Sequence, residues 1–166
     1  FLEQIEPGPT YNVPMTLELD GELDAKRLEH ALNEVMARHE ALRTRFFTVD
    51  GMPAQEVLSD RAAQSTFQDL STLDASAGEG EVRNLAANLA RRPFDLGTDT
   101  LVRAILLRIE RQRHVLLLCI HHIVIDGWSA GVLMRDLSAC YAGNVLPALA
   151  LQYADFAAWQ RDPRHE

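Results

Sequence analysis

The sequence predicts an α+β fold, in which a mixed or antiparallel sheet is covered by packed helices. Some segments place apolar residues at every second position, as half-buried strands do, and others place them three or four apart, as helices do. The two kinds of segment follow one another without the regular alternation of a parallel α/β protein. The chain has 166 residues, 47% hydrophobic and 24% charged, which suits one compact domain or one lobe of a larger one.

The first predicted element is a strand over residues 13–19, which ends at the turn Asp20-Gly21. Asp24 is expected to cap the helix that follows. The buried stripe of this helix consists of apolar residues at helical spacing: Leu28, Ala31, Leu32, Val35 and Met36.

A hairpin is predicted next, with strands at 43–49 and 55–58 joined by Asp50-Gly51. A short strand is expected near 66–70. The following helix ends before Pro93, because a residue that precedes proline avoids helical geometry. Its apolar side is formed by Val82, Leu85, Ala86 and Leu89.

Strands at 101–109 and 114–122 are joined by the polar residues 110–113, which predicts an antiparallel hairpin. A helix over 128–141 is expected to stop at Gly143-Asn144, and a last helix covers 152–160. The residues of the first of these helices that are expected to face inward are Leu133, Leu137, Cys140 and Tyr141.

The charge excludes some classes of partner. The chain carries 24 acidic and 16 basic residues, a net charge of −8, whereas nucleic-acid binding uses clustered Lys and Arg. The longest apolar run, 115–120, is too short to cross a bilayer, and no signal peptide is visible. Cys119 and Cys140 lie in apolar segments, which predicts buried free thiols and a cytoplasmic location. Because the chain begins at Phe1 without Met, we expect it to be a piece of a longer protein.

Two adjacent histidines end the most apolar strand. By strand alternation, His122 shares a face with Leu116, Leu118 and Ile120, and His121 shares the other face with Val115, Leu117 and Cys119. Both faces are apolar, so this strand is predicted to be buried on both sides. Asp126-Gly127 then forms a tight turn that places Asp126 beside a helix N-terminus.

Three hypotheses fit these residues. The histidines are core residues and Asp126 is only a helix cap, or they bind a metal, or one histidine is a catalytic base. A metal site is disfavoured because adjacent strand residues point apart and no third ligand has a suitable spacing. We therefore predict no metal, and the other two hypotheses stay open on these residues alone.

The segment His121-His122-Ile123-Val124-Ile125-Asp126-Gly127 resembles the His-His-x-x-x-Asp-Gly motif of the condensation domains of nonribosomal peptide synthetases, whose lobes have the chloramphenicol acetyltransferase-like fold. Four more segments resemble motifs of that family and occur in its order. They are 38–46 (RHEALRTRF), 153–161 (YADFAAWQR), 11–14 (YNVP) and 92–96 (RPFDL). The first motif of the family is missing except for its tail, and the later motifs are absent. The resemblance therefore identifies residues 1–166 as the N-terminal lobe of a condensation domain without its C-terminal lobe.

The resemblance implies an acyltransferase that joins a donor aminoacyl or peptidyl thioester to an acceptor aminoacyl thioester. Both groups arrive on the 4'-phosphopantetheine arms of peptidyl carrier proteins, and no cofactor is bound directly. The implied partners are the donor and acceptor carriers, the C-terminal lobe, and adjacent adenylation and carrier domains. The residues Asp126-Gly127-Trp128-Ser129 resemble the subclass that joins an L-configured donor to an L-configured acceptor.

Residue roles also follow from the resemblance. His122 is expected to take the proton of the acceptor amine or to orient that amine, since histidine has a pKa of about 6.5 and an α-amine about 7.7–8.0. The Gly127 N–H is expected to help hold the thioester oxygen. His121 is predicted to be scaffold, and Asp126 is predicted to pair with Arg43. Trp128 and Ser129 are expected to support the turn.

The remaining side chains of the motifs are assigned structural or surface positions. The aromatic residues Trp128, Tyr153, Phe156 and Trp159 are predicted to pack in the core, and His39 to be structural. Surface positions are predicted for Arg38, Arg45, His30, His114 and His165.

Two alternatives to a carrier-dependent enzyme stay open. The first is a non-catalytic module of the same fold that docks carrier proteins. The second is a stand-alone acyltransferase that acts on a free amine or alcohol. An intact His-His-x-x-x-Asp-Gly argues against a pure docking module, because a docking surface does not need that turn.

Overall fold

The computed structural model describes residues 8–162, which form the α+β mixture that the sequence predicts. Within them the strands are β1 (Asn12–Asp20), β2 (Thr44–Val49), β3 (Met52–Val57), β4 (Gln64–Asp69), β5 (Val102–Glu110) and β6 (Arg113–His121). The α-helices are α1 (Ala25–Arg38), α2 (Ala75–Arg91), α3 (Gly127–Tyr141) and α4 (Tyr153–Gln160). Two 3-10 turns, Pro9–Tyr11 and Glu40–Arg43, precede β1 and β2.

Within the described residues, the main sheet has four strands in the order β1-β6-β5-β4. Strands β1 and β5 both pair antiparallel with β6, whereas β4 pairs parallel with β5. The antiparallel hairpin predicted for β5 and β6 is confirmed. Its pairing extends to Glu110 opposite Arg113, so Arg111 and Gln112 alone form the turn.

Strand β6 separates two hydrophobic cores, as expected for a strand that is apolar on both faces. One core joins Leu116, Leu118 and Ile120 to apolar residues of α1 and α3. The other core joins Val115, Leu117 and Cys119 to Leu89 of α2 and its partly buried neighbours. All five residues of the predicted α1 stripe are buried in the first core, which confirms that stripe. The end of β6 is therefore held from both sides.

The N-terminus of each α-helix is capped by a side chain. Asp24 accepts a hydrogen bond from the Arg27 N–H at 3.1 Å, which confirms its predicted role. Asp74 caps α2 in the same way. The predicted last helix begins at Tyr153, one residue late, because Gln152 is its N-cap and its own N–H donates to the Asp155 carboxylate.

The ribbon of β2 and β3 turns at Asp50 and Gly51, which have φ of 50° and 80°. Both values lie in the left-handed region, as a type I′ hairpin requires, which confirms the predicted turn. Strand β2 begins at Thr44 and not at Arg43, because Arg43 belongs to the preceding 3-10 turn.

The prediction that the four motif aromatics lie in the core is wrong. The exposed fraction is 85% for Trp128, 60% for Tyr153, 49% for Phe156 and 55% for Trp159. Helix α4 contacts the 3-10 turn before β2, and its half-buried residues are Ala154 and Ala157, so its aromatic rings lie on the more exposed part of the helix. Their centroids lie 5.9 Å and 5.8 Å apart along that row.

Two surface predictions are also wrong. His114 is 4% exposed, because β6 lies between β1 and β5 and helices cover both faces of the sheet. Arg38 is largely buried beside α3. By contrast, the exposed positions expected for His30 and Arg45 are confirmed. His165 lies outside the described residues.

Both cysteines are free, Cys119 buried and Cys140 half-buried. Burial raises the pKa of each thiol, and at Cys140 the charges of Glu34 and Asp136 raise it further. Both thiols therefore stay protonated at neutral pH. None of the helices within residues 8–162 is both long enough and apolar enough to span a membrane.

Candidate active site

The candidate site is the turn from 121 to 126, between the end of β6 and the start of α3. Three backbone hydrogen bonds hold it. The His121 N–H donates to Leu101 O at 3.1 Å, the His122 N–H to Tyr11 O at 2.8 Å, and the Val124 N–H to His121 O at 3.1 Å. The turn is therefore fixed to the segments that lead into both neighbouring strands.

His121 faces inward, as a scaffold residue would. Its side chain is buried, and its Nδ1 accepts a hydrogen bond from the Ile123 N–H at 3.2 Å. The ring packs against Tyr11 at 6.1 Å and meets Phe94 edge-on at 5.9 Å. These contacts fix the ring and fold the turn that begins at His122.

His122 is exposed and lies on a cleft of about 350 Å³. Strand β6 ends at His121, so His122 belongs to the turn and its side chain is released from the buried sheet. The cleft also borders Leu42 and Leu133, which belong to the core of α1 and α3. The ring is therefore on the side of the sheet that strand alternation predicts, but in contact with solvent.

Asp126 is the N-cap of α3. Its Oδ1 accepts hydrogen bonds from the N–H and the hydroxyl of Ser129, both at 2.7 Å. These two bonds lower the pKa of Asp126, and the Trp128 N–H and the nearby His122 lower it further. Asp126 is thus a carboxylate at neutral pH. Gly127 is the first residue of α3, and its N–H has no partner among residues 8–162.

The predicted ion pair between Arg43 and Asp126 is wrong. Arg43 donates to Leu58 O at 2.8 Å and lies 3.4 Å from Glu40. The 3-10 turn directs Arg43 toward the end of β3, while the hydrogen bonds of Asp126 are made by its own helix. Arg43 therefore ties the end of β3 to the 3-10 turn and forms no ion pair with the turn from 121 to 126 among residues 8–162.

Asp136 is a site residue that the sequence pattern did not predict. It is 1% exposed, and its Oδ2 lies 3.0 Å from Arg38 Nε and 2.9 Å from His39 Nε2. Arg135 binds its other oxygen at 2.9 Å. Asp136 lies on the same stripe of α3 as Leu133, Leu137 and Cys140. A carboxylate within an apolar helical stripe is the signal that could have predicted a buried charge with partners.

The charge of Asp136 is retained despite burial. Burial raises its pKa, but the hydrogen bonds from His39, Arg135 and Arg38 outweigh that effect and leave the pKa below its usual value. Arg38 also donates to Pro147 O, and its own carbonyl accepts from Gln152 Nε2 at 3.0 Å. The network thus joins α1, α3 and the cap of α4, and it places His39 in the wall of the cleft that holds His122.

A metal site is not formed by these groups. Within residues 8–162 there is no group of three His, Cys, Asp or Glu side chains arranged to hold a metal ion. His121 and His122 point to opposite sides of the turn, one buried and the other exposed, as strand alternation predicts for neighbouring residues.

Three comparisons with known proteins agree on a family. The family model described as the condensation domain matches residues 1–166. Tyrocidine synthase 3 of Brevibacillus parabrevis is 44% identical over 98% of this chain, which corresponds to 2% of that relative. Phosphinothricin tripeptide synthetase PhsC of Streptomyces viridochromogenes is 41% identical over 97% of this chain and 16% of the relative.

Solved structures give the same result. The first condensation domain of the calcium-dependent antibiotic synthetase, solved with a substrate analogue, has a TM-score of 0.83 and 29% identity, with 99% of this chain and 41% of that chain covered. The X-domain from teicoplanin biosynthesis has a TM-score of 0.81 and 33% identity, with 94% and 35% covered. This chain thus spans less than half of those structures and a small part of the curated synthetases. Its fold, its motifs and these relatives agree, and the chain belongs to the condensation-domain family.

Proposed function

We propose that residues 1–166 form the N-terminal lobe of a condensation domain that makes an amide bond between two carrier-bound thioesters. The observation that carries this proposal is the position of His122. Its side chain is exposed on a cleft, at the end of a strand that is otherwise buried on both faces. An imidazole exposed to a cleft on a fixed turn suits proton transfer to or from a substrate.

In the proposed reaction the α-amine of the acceptor attacks the carbonyl carbon of the donor thioester. His122 takes a proton from the attacking nitrogen, or orients the amine so that its lone pair faces the carbonyl. The tetrahedral intermediate then collapses, the C–S bond breaks, and the leaving thiolate takes up the proton. The products are an amide on the acceptor carrier and a free thiol on the donor carrier.

We propose the Gly127 N–H as a donor to the oxyanion of that intermediate. Two features support this role. The N–H has no partner among residues 8–162, and it lies at the first turn of α3, where helix N–H groups favour negative charge. Asp126 and Ser129 act by fixing the helix start, because the N–H and the hydroxyl of Ser129 both donate to the Asp126 carboxylate.

The substrates are proposed to arrive on 4'-phosphopantetheine arms of a donor and an acceptor peptidyl carrier protein. The C-terminal lobe and neighbouring adenylation and carrier domains would come from the rest of a longer chain. The lengths of the relatives support this arrangement, because the matched stretch is 2–4% of the gramicidin, tyrocidine and chondramide synthases. That small share favours an embedded domain over a stand-alone acyltransferase. The L-to-L subclass rests on Asp126-Gly127-Trp128-Ser129, and a cytoplasmic location rests on two protonated thiols.

The test uses the intact condensation domain and its two carriers, which are charged chemically with a panel of aminoacyl-phosphopantetheine groups. Mass spectrometry then follows dipeptide on the acceptor carrier. We expect His122→Ala to reduce the rate by about 10²–10⁴-fold, the range for a general acid–base group. His30→Ala is the matched control, because that histidine is exposed on α1 away from the cleft. A rate for His122→Ala equal to that of the control would remove His122 from the mechanism.

One observation favours a second candidate, a docking module. The X-domain from teicoplanin biosynthesis, 32% identical in this comparison, has been solved in a complex with OxyB. A domain of this fold can thus bind a protein partner. Under this alternative, loaded carriers would bind the intact domain, and no amino-acid pair in the panel would yield dipeptide.

A further inference from the structure

The cleft contains a second imidazole. His39 follows α1 directly, and its ring lines the same cleft as His122. Its side chain is 20% exposed, so most of the ring is covered while part of it faces solvent. The family motif predicts only a structural role for His39.

The buried carboxylate of Asp136 determines which ring nitrogen is available. Asp136 is ionised and can only accept, so the hydrogen in its 2.9 Å contact with His39 lies on Nε2. In the neutral ring the lone pair is then on Nδ1. Nδ1 has no hydrogen-bond partner anywhere in residues 8–162. His39 therefore offers one acceptor, whose ligand must be an N–H or O–H donor.

The bond between Asp136 and the His39 ring is held in place by other side chains. Arg38 and Arg135 also bind the Asp136 carboxylate, and Gln152 links Arg38 to the backbone of Glu40 on the far side of His39. A carboxylate with three cationic or N–H donors cannot rotate away from the imidazole. Such support resembles the way in which active sites fix the tautomer of a histidine.

We propose that His39 is a second binding group of the cleft, which accepts a hydrogen bond from the α-amine of the acceptor substrate through Nδ1, and that Asp136 is its positioning residue. The inference rests on the function proposed above. Of the two groups that react, the thioester carbonyl has no hydrogen to donate, whereas the acceptor amine has one and can satisfy Nδ1. His39 would then hold the amine while His122 acts on it.

The test uses the intact condensation domain and three variants. His39→Gln keeps an N–H close to the position of Nε2, so it retains the bond to Asp136, but it removes the Nδ1 acceptor. We expect the acceptor KM to rise about five- to tenfold, as loss of one hydrogen bond predicts, with kcat less affected. Asp136→Asn should raise the same KM. The double variant should have the same acceptor KM as His39→Gln alone, because both changes remove the same hydrogen bond between His39 Nδ1 and the amine. His30→Gln on α1 is the matched control and should leave KM unchanged.

Two ligands separate the amine from the N–H groups of the phosphopantetheine arm. One is the best acceptor aminoacyl group of the condensation assay, linked to pantetheine by an amide in place of the thioester, and the other is its analogue without the amine. We expect His39→Gln to weaken binding of the first ligand alone. Equal weakening of both would place the contact on the arm and overturn the amine assignment. Suppose that the wild-type domain condenses and depends on His122, but His39→Gln changes neither ligand binding nor the acceptor KM. That result would overturn the inference and leave the proposed function intact. A wild-type domain that does not condense would contradict both.

Discussion

The guanidinium carbon of Arg103 lies 3.6 Å from the centre of the Phe94 ring, and that ring is nearly perpendicular to the His121 ring, with centroids 5.9 Å apart. Arg103 also donates to Arg92 O at 2.7 Å, to Pro93 O at 2.8 Å and to Asp99 at 2.9 Å. Its side chain is 2% exposed. The loop after α2 is thus folded around the buried guanidinium of Arg103. Through the Phe94 ring, this loop packs against His121.

Arg103→Met should therefore be costly. It removes the donor of two carbonyls and of the partly exposed Asp99, and a hydrogen bond that involves a charged group contributes about 1.5–3 kcal/mol. Arg111→Met is the matched control, because its side chain is 88% exposed and surface pairs contribute about 0–1 kcal/mol. Urea unfolding of the intact domain measures both changes. Equal midpoints for the two variants would contradict the buried role.

Arg38 and Arg45 provide a second matched pair, since both were predicted to be solvated. The Arg38 side chain is 15% exposed and binds the buried Asp136, whereas Arg45 is 40% exposed and pairs with Glu56 across the ribbon. We expect Arg38→Met to lower the free energy of unfolding by about 3 kcal/mol and Arg45→Met by less than about 1 kcal/mol. If the order were reversed, the network around Asp136 would not be a main support of this lobe.

Gly127 allows the proposed oxyanion donor to be tested without disturbing the helix. A Cβ at Gly127 meets no atom within 4 Å, so Gly127→Ala should fold normally and keep its N–H. Gly127→Pro removes the N–H at the first helical position, where proline is favoured, and the extended backbone of Asp126 suits a following proline. We expect Gly127→Pro to lose about 10²–10³-fold in condensation rate and Gly127→Ala to lose little. Comparable rates would show that the N–H is not used.

His114 should make stability depend on pH. Burial and then Arg108 lower its pKa in the folded state, while Asp69 acts in the opposite direction. The unfolded chain, with a histidine pKa of about 6.5, binds the proton more readily, so stability is full above that pH and falls as the pH drops below it. His114→Leu should flatten this slope between about pH 7.5 and 5. The exposed His30→Gln should leave it unchanged, and a His114→Leu slope equal to that of wild type would contradict the assignment.

Much of the fold could be predicted from local sequence patterns, because helix caps, helix stripes and hairpin turns depend on residues that are close together along the chain. Asp24 capped its helix, the α1 stripe was buried, and Asp50-Gly51 formed its hairpin, since each depends on residues within a few positions. Alternation also predicted the side of the sheet on which His122 lies, but its exposure follows from the end of β6 at His121, one residue before the predicted end.

What the sequence by itself determined was therefore the set of elements, the strand with two apolar faces, and the family motifs. Only the tertiary structure decided which charged groups are in contact. Arg43 donates to Leu58 O and does not pair with Asp126. Asp136 binds Arg38 and His39, which lie about 97 positions earlier in the chain. The tertiary structure also left the aromatic side chains of α4 exposed, where the sequence had predicted them to be in the core. The physical reason is that an ion pair or a buried face depends on how separate elements pack, and no periodicity within one element encodes its partner across the core.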